Sequence, residues 1–351
     1  MSTFDTVREQ GEAKRLLEAA LRDGPAHAYL FHGPPGVGKR ETARTFAHAL
    51  LGTAREFHPD LYELDALGEM IRIDAIRELR RDLHMRPFEA DRRVYLVLSA
   101  HLMNEDAADA LLKDLEEPPS YAVIVLVADD LGSIPETIRS RCQLVPFRRL
   151  SERAVREVVD ARAPELDEER RVAYARVAAG RLDRLQRLLD AKASARRETL
   201  LAQARNVYRD TAFEPADAAA ALLECARERG AEAKEVEEIR LQNLDLPARE
   251  ADQRVRRAQR GAEREELLAQ LEELGAWYRD LVVVAAGAPA AAVHVDRLDQ
   301  LQEDATRERL LAAERAAEAV RETWRALEEF NLAPQLALES LFVQIGRELH
   351  A

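Results

Sequence analysis

The 351-residue chain has few of the residues that build disulfide scaffolds, aromatic-rich sheets or membrane spans. Aromatic residues make up 5% of it, and Cys142 and Cys225 are its 2 cysteines. Two cysteines cannot form a structural zinc site or a disulfide framework, which suits a reducing compartment. The longest apolar run, residues 281–293, is too short to span a bilayer, and the N-terminus has no apolar signal core. We therefore expect a soluble cytoplasmic protein without membrane contact.

The chain also lacks a positive charge balance. It has 52 Lys and Arg against 65 Asp and Glu, for a net charge of -13. That sign argues against binding nucleic acid through the whole-molecule field, although a local arginine cluster is still compatible with phosphate contacts. Ala, Leu, Glu and Arg dominate, which favours helices. The length predicts two or three domains, mostly α with one α/β part.

The pattern of apolar residues changes along the chain. Residues 1–148 alternate short apolar runs with helical patterns, which predicts βα units on a parallel sheet. The predicted strands are 28–31, 61–64, 93–98, 122–127 and 143–146, and the predicted helices between them are 40–51, 73–83 and 105–115. Residues 149–192 predict three short helices that form a small lid. Residues 193–351 are almost wholly helical in pattern.

The segment GPPGVGKR at residues 33–40 follows an apolar strand and precedes a helix. Its glycines Gly33, Gly36 and Gly38 let backbone N–H groups converge on phosphates, and Lys39 begins a helix whose dipole favours anions. This context predicts a nucleotide-binding loop that is compatible with ATP or ADP. The alternative is a glycine turn that only joins a strand to a helix.

The groups that normally hold Mg²⁺ beside such a loop are missing. Arg40 stands where a Ser or Thr hydroxyl usually ligates the metal, and a guanidinium cannot coordinate a cation; it could instead pair with a phosphate. The strand 94–99 ends in Leu98 and Ser99, where phosphoryl transfer needs an acid. Because the loss of one such group costs about 10²–10³ in rate, we predict no meaningful ATP hydrolysis by the chain alone and no metal site.

Other carboxylates along the chain do not replace these ligands. Glu105 and Asp106 lie beyond Asn104, which is predicted to cap the next helix. Asp129 ends the following strand, where a carboxylate would repel phosphate unless a cation intervened. We interpret Asp129 as a capping or turn residue.

Five segments together resemble the delta-prime family of clamp-loader subunits of bacterial DNA polymerase III, which are AAA+ proteins. They are HAYLF at 27–31, the loop at 33–40, NEDAADALLKDLEEPP at 104–119, SRC at 140–142 and NLAPQLALE at 331–339. The resemblance implies an α/β AAA+ P-loop module with a parallel five-stranded sheet over residues 1–148, an all-α lid over 149–192 and an all-α collar over 193–351.

The same resemblance implies partners. The collar would close a hetero-pentameric ring with subunits of gamma/tau and delta type. The assembled complex would act on the sliding clamp and on primer-template DNA. Many relatives carry a four-cysteine zinc module after the first helix, whereas this chain runs almost directly from Leu51 to His58, so zinc is not expected.

The family's delta-prime member does not hydrolyse ATP and donates an arginine to the ATP of its neighbour. Arg141 in the SRC segment matches that donor, and an arginine supplied in trans is worth about 10³–10⁵ in rate. The alternative for Arg141 is a surface salt bridge. The family's lid often places an arginine near the nucleotide, which Arg181 or Arg184 could match.

Two arginine clusters are further candidates for contacts. The first comprises Arg72, Arg77, Arg80 and Arg81, on a helix that by resemblance would face DNA and contact its phosphates without base readout. A solvated face is the alternative, because Glu78 and Asp82 lie between these arginines. The second cluster, within residues 249–264, is interpreted as a charged exposed helix. Trp277, Tyr278, Trp324 and Phe330 are assigned to packing.

The leading hypothesis is a non-catalytic clamp-loader subunit that donates Arg141 and supports loading of the sliding clamp. One alternative is a self-sufficient AAA+ ATPase that uses Lys39 with unconventional metal ligands. The other is a purely structural ring scaffold, which neither binds nucleotide nor donates an arginine.

Overall fold

The structure is a computed structural model that describes residues 3–5, 7–53, 55, 58–66, 70–241, 248–329 and 332–350. It divides into two compact units. Unit 1 comprises residues 1–157 and 180–183, and unit 2 comprises residues 158–179 and 184–351. Residues 149–192 of the predicted lid are thus divided between both units, and the predicted domain borders stay predictions.

Unit 1 is a parallel sheet with flanking helices. Its strands are β1 (Ala28–His32), β2 (Leu61–Leu64), β3 (Arg93–Val97), β4 (Ala122–Ala128) and β5 (Gln143–Pro146). Its helices are α1 (Gly11–Asp23), α2 (Lys39–Leu51), α3 (Ile73–Leu83), α4 (Glu105–Glu116), α5 (Glu136–Arg139) and the start of α6 (Glu152–Arg162), with a 3₁₀ turn at Ala100–Leu102. The five predicted strands are confirmed within one residue at each end.

The sheet has the strand order β2-β3-β4-β1-β5, and every pairing is parallel. Helices cover both faces, so β3 and β4 are buried along their whole length. This explains why both strands are nearly continuous apolar runs. The predicted five-stranded parallel sheet is confirmed. Because all strands run in one direction, the segments after β1, β2, β3 and β4 meet at the same edge, where ligands bind in open α/β sheets.

Unit 2 is helical. It contains the end of α6, α7 (Glu168–Val177), most of α8 (Leu182–Leu189), α9 (Ala191–Arg209), α10 (Pro215–Leu241), α11 (Ala248–Ala285), α12 (Leu298–Asp304), α13 (Leu310–Glu329) and α14 (Pro334–His350), with 3₁₀ turns at Pro289–Ala291 and Val295–Arg297. The helical character predicted for this part of the chain is confirmed.

The core of unit 2 forms around α11. Trp277 and Tyr278 are fully buried there, and Trp324 packs against the same cluster. The Tyr278 hydroxyl donates to Ala204 O at 3.1 Å. The packing role predicted for these three side chains is confirmed, while Phe330 lies outside the described residues. No helix in the described ranges has both the length and the apolarity needed to cross a bilayer.

Candidate nucleotide-binding site and arginine donor

The phosphate loop joins β1 to α2 and needs its glycines for conformational reasons. Gly33, Gly36 and Gly38 all have positive φ, at 138°, 69° and 91°, a region that residues with a Cβ rarely adopt. A Cβ at Gly33 would also collide with the backbone of Phe147. The loop therefore has the backbone that the sequence predicted, with Lys39 as the first residue of α2.

The Lys39 ammonium already has partners within the protein. Its side chain is 3% exposed, and Nζ lies 2.8 Å from Asp129 Oδ1. Nζ also donates to Gly33 O at 2.6 Å and to Pro34 O. Burial lowers the pKa of Lys39, and the charge of Asp129 opposes that effect. The cation that would bind phosphate is thus neutralised by a carboxylate.

Asp129 lies at a bend directly after β4, but its side chain has a role in ion pairing that we did not predict. Besides its ion pair with Lys39, its Oδ2 lies 3.7 Å from His101 Nε2, and its backbone N–H donates to His101 Nδ1 at 3.3 Å. The cause is the sheet order: β4 pairs with β1, with Ala128 beside His32. That neighbourhood brings the residue after β4 to the phosphate loop, and a linear sequence does not state it.

Arg40 is bound by a carboxylate and a hydroxyl from the adjacent strands. Its Nη1 lies 2.7 Å from Asp65 Oδ2, and its Nη2 donates to Ser99 Oγ at 2.7 Å. Ser99 Oγ in turn donates to Asp65 Oδ1 at 2.6 Å. The guanidinium therefore lies beside the carboxylate, at the loop position where a hydroxyl would ligate a metal ion.

Sequence reasoning missed Asp65. It follows β2, and β2 pairs with β3 so that Leu64 lies beside Val97. The available signal was an acid directly after a short apolar strand. Without the sheet order, nothing connected that acid to Arg40 or to the end of β3.

Residues 180–183 bring a third carboxylate to the loop. Leu182 N donates to Gly36 O at 2.6 Å, and a Cβ at Gly36 would collide with the Asp183 carboxylate. Arg181 Nη2 pairs with Asp183 Oδ2 at 2.6 Å. A phosphate at the loop would therefore meet Asp183 as well as Asp129, because both lie against it.

The second lid candidate, Arg184, belongs to unit 2. Its Nη2 lies 2.8 Å from Glu272 Oε1 of α11. A role for Arg184 in nucleotide binding stays a prediction. Within the described part of the chain, no three His, Cys, Asp or Glu side chains are grouped so that they could hold a metal ion.

The predicted donor, Arg141, follows α5 and lies against the end of α4. Its Nη1 donates to Thr137 O at 2.8 Å, and its Nη2 lies 2.5 Å from Glu116 Oε1. The Arg141 side chain is 34% exposed and that of Glu116 is 50% exposed. The salt bridge that we considered as the alternative is therefore present, and it lies at the surface.

The first arginine cluster, on and beside α3, is only partly available for contacts. Arg80 pairs with Asp114 of α4, whose side chain is 3% exposed, so Arg80 attaches one helix to the next. Arg72, Arg77 and Arg81 are exposed, and Arg77 has an exposed partner, Asp74, at 3.3 Å. The DNA contact predicted for this cluster stays a prediction.

In comparisons with known proteins, the chain is similar to subunits of DNA polymerase III. Residues 9–151 match the family described as DNA polymerase III, delta subunit. The chain is 32% identical to DNA polymerase III subunit tau of Bacillus subtilis over 47% of its own length and 33% of that protein. It is 31% identical to DNA polymerase III subunit delta' of the same organism, over 41% of its length and 49% of that protein.

Both alignments span less than two thirds of the relatives. Among solved structures, the chain is similar to a DNA polymerase III gamma subunit-related protein from Thermotoga maritima. That comparison has a TM-score of 0.43 and 19% identity, and it covers 96% of this chain and 99% of the other.

Proposed function

We propose that this chain is a clamp-loader subunit of DNA polymerase III, of delta-prime type. The match of residues 9–151 to the family described as DNA polymerase III, delta subunit, and the similarity to relatives named tau and delta' support this proposal. In this role it does not hydrolyse ATP and donates Arg141 to the ATP of a neighbouring subunit. Its partners are subunits of gamma/tau and delta type in a hetero-pentameric ring. The assembled complex places the sliding clamp on primer-template DNA.

The observation that carries this proposal is the Arg40–Asp65–Ser99 cluster. Phosphoryl transfer on a P-loop needs Mg²⁺ between a loop hydroxyl and a strand-end acid. Here Asp65 is the acid at that edge, and it is bound to the Arg40 guanidinium at 2.7 Å. Two unit charges about 4 Å apart repel by about 4 kcal/mol at an effective dielectric constant near 20, so the divalent Mg²⁺ is repelled by Arg40 by about 8 kcal/mol at that distance. The arrangement therefore supports a phosphate loop that retains its backbone conformation but does not bind the Mg²⁺ that hydrolysis needs.

The surroundings of Arg141 support the donor role. Its ion-pair partner Glu116 is half exposed, and surface pairs of this kind contribute about 0–1 kcal/mol. Exchanging Glu116 for a phosphoryl oxygen of a neighbour's ATP therefore costs little. The guanidinium fork can then bind two oxygens of the transferring group, where charge develops in the transition state.

The test is DNA- and clamp-stimulated ATP hydrolysis by a loader reconstituted with the organism's own gamma/tau-type and delta-type subunits. Arg141→Ala is expected to reduce turnover by about 10³-fold or more. Arg148→Ala is the matched control, because Arg148 lies on the same unit and its side chain is 84% exposed. This control is expected to keep wild-type turnover.

Two results would overturn parts of the proposal. Equal turnover with Arg141→Ala and wild type would remove the donor role and leave a ring scaffold. Magnesium-dependent hydrolysis by the isolated chain, abolished by Lys39→Ala, would show a self-sufficient ATPase despite Arg40. A silent isolated chain combined with a large Arg141→Ala effect in the complex would support both halves of the proposal.

A further inference from the structure

The N-terminal part of helix α11 extends beyond the end of helix α13, which packs beside it. Arg264 Nη2 donates to Glu328 O, near the C-terminal end of α13. Further along, Gly275 of α11 lies against Val320 of α13. The two helices are therefore antiparallel, and the residues of α11 that precede Arg264 extend past the end of α13.

Helices α10 and α11 also extend beyond the start of α9. Arg196, in the first two turns of α9, lies 3.1 Å from Glu232 of α10 and 3.6 Å from Glu266 of α11. The residues of α10 after Glu232 and of α11 before Glu266 thus continue beyond the start of α9. We call residues 235–241 and 248–262, which form the far end of the α10–α11 pair, the hairpin arm.

One face of the hairpin arm carries exposed arginines. They are Arg249, Arg256, Arg257 and Arg260, which we call the arginine stripe. With about 100° of rotation per residue they fall within an arc of about 100°, and with a rise of 1.5 Å they extend over about 16 Å of helix. Ala251 and Val255, on the opposite side of α11, face Leu241 of α10 across a cleft. Arg256, at one edge of the stripe, also lines this cleft. Arg249, Arg257 and Arg260 do not line it and lie on the side of α11 that faces away from α10.

Among the side chains that the structure describes, few neutralise the stripe. Arg256 pairs with Asp252 at 3.1 Å. For Arg249, Arg257 and Arg260, the structure gives no ion pair or hydrogen bond to any side chain in the described part of the chain, which leaves out residues 242–247 and the side chain of Glu250. The positive end of the α11 dipole lies beside Arg249 and adds to the field. Unmatched cations thus gather on one face of a chain whose net charge is -13.

The chemistry of the stripe suits phosphates better than bases. Guanidinium groups bind phosphate oxygens through two parallel N–H donors. Residues 231–262 contain no Phe, Tyr or Trp, so the arm has no ring on which an unpaired base can stack, as single-strand binding usually requires. The length of about 16 Å corresponds to about five phosphates of one strand, at 3.4 Å of duplex axis each.

We propose that the arginine stripe on α11 binds the phosphate backbone of double-stranded DNA without reading its base sequence. This site lies in unit 2 and is separate from the phosphate loop, Arg141 and the α3 cluster. The phosphate chemistry rests on the stripe alone, whereas the choice of DNA over RNA rests on the proposed function.

The test measures binding of the full-length chain to a fluorescent DNA duplex of arbitrary sequence, at about 50 mM and about 200 mM salt. The test variant is Arg249→Gln with Arg257→Gln and Arg260→Gln. The matched control is Arg162→Gln with Arg307→Gln and Arg347→Gln, because these three arginines of unit 2 are also exposed. Both variants change the net charge equally, so a difference between them reports the position of the charges.

The stripe variant is expected to lose about tenfold or more in duplex affinity at the lower salt, with a salt slope smaller by about 2–3. The control is expected to bind like wild type. Equal losses in both variants, or no loss in the stripe variant, would overturn the proposal. Tighter binding of a single strand or of a polyglutamate peptide than of the duplex would overturn the assignment of the ligand.

A parallel binding measurement with duplex RNA distinguishes a failure of this proposal from a failure of the proposed function. A preference for duplex RNA that depends on the stripe would overturn the choice of DNA and would leave the phosphate site intact. Loss of the Arg141 effect on ATP turnover, with stripe-dependent DNA binding retained, would overturn the donor role alone.

Discussion

Three cations at the phosphate loop each have a carboxylate partner in the folded chain. Lys39 pairs with Asp129, Arg40 with Asp65, and Arg181 with Asp183. A bound phosphate must therefore displace or approach carboxylates that already neutralise the site. At the residue scale, the loop retains cations. It differs from an active P-loop mainly because carboxylates of the same chain pair with them.

Replacement of Asp129 by Asn tests this view of the loop. Without the carboxylate, the Lys39 ammonium loses its internal counter-charge, and a nearby like charge no longer repels the phosphates. We expect the affinity of the isolated chain for a fluorescent ATP analogue to rise by about tenfold, which is about 1.4 kcal/mol. Lys39→Ala combined with Asp129→Asn is the control and should remove the gain. Unchanged affinity in Asp129→Asn would show that the carboxylate does not limit binding.

Replacement of Glu116 by Gln tests the exchange proposed for Arg141. The substitution removes the charge that faces the guanidinium at 2.5 Å, while Arg141 keeps its bond to Thr137 O. Because a surface pair contributes about 0–1 kcal/mol, ATP turnover of the reconstituted loader should stay within about fivefold of wild type. A loss as large as that of Arg141→Ala would contradict the exchange and assign Glu116 itself to the site.

At the scale of elements, helix α11 carries a buried charge cluster that sequence reasoning did not identify. The His294 ring lies 2.8 Å from Asp280 Oδ2 through Nδ1 and 3.2 Å from Glu273 Oε1 through Nε2. Arg197 of α9 joins Glu273 to Asp296 at 2.5 and 2.7 Å. Burial lowers the pKa of His294, but the hydrogen bonds to Asp280 and Glu273 outweigh it and raise the pKa to about 9. The imidazolium therefore attaches the segment after α11 to α11 itself.

This cluster predicts a pH dependence of stability. The pKa of His294 rises from 6.5 to about 9 on folding, so its contribution is fully present below about pH 6.5 and is lost as the pH rises through 9. The contribution is about 3 kcal/mol, at about 1.4 kcal/mol per unit of pKa. We expect the free energy of urea unfolding to fall between about pH 6.5 and pH 9.

Two variants distinguish His294 from other titrating groups. His294→Gln should lower the free energy of unfolding at the acid end of this range and flatten its fall with pH. His27→Gln should keep the wild-type profile, because His27 is exposed in unit 1. A His294→Gln profile parallel to wild type would contradict the assignment.

At the scale of the whole molecule, each unit has its own apolar core. In unit 1 the sheet packs on both faces, with Leu96 fully buried on one of them. In unit 2 the core surrounds Trp277, and Leu274 is fully buried beside it. Both tryptophans of the chain, Trp277 and Trp324, lie in unit 2, so tryptophan fluorescence reports on that unit alone.

The two cores predict separate effects of core substitutions. Leu96→Ala leaves a cavity in unit 1 and should cost about 2–5 kcal/mol there, measured by hydrogen exchange of the β3 and β4 amides. The fluorescence midpoint in urea should stay at the wild-type value. Leu274→Ala is the matched substitution in unit 2 and should shift the fluorescence midpoint. A shift of that midpoint by Leu96→Ala would show that the two units unfold as one.

The local features were open to prediction because each is encoded in a short stretch of chain. Apolar runs flanked by helical patterns predicted the five strands, the glycines at 33, 36 and 38 predicted the phosphate loop, and Leu98 and Ser99 predicted the missing strand-end acid. The arginines within residues 249–264 were also visible as a cluster. The sequence did not tell which of them would share an exposed face beyond the neighbouring helices.

The sequence by itself determined the α/β module, the helical remainder and the absence of the usual metal ligands, since backbone propensity and apolar periodicity act over a few residues. The tertiary structure decided what replaces those ligands. The sheet order β2-β3-β4-β1-β5 places β3 between β2 and β4, and β1 between β4 and β5, so Asp65 reaches Arg40 and Asp129 reaches Lys39. Pairing between strands far apart in the chain is set by the shared core of the sheet, and that is why these contacts appeared only in the folded protein.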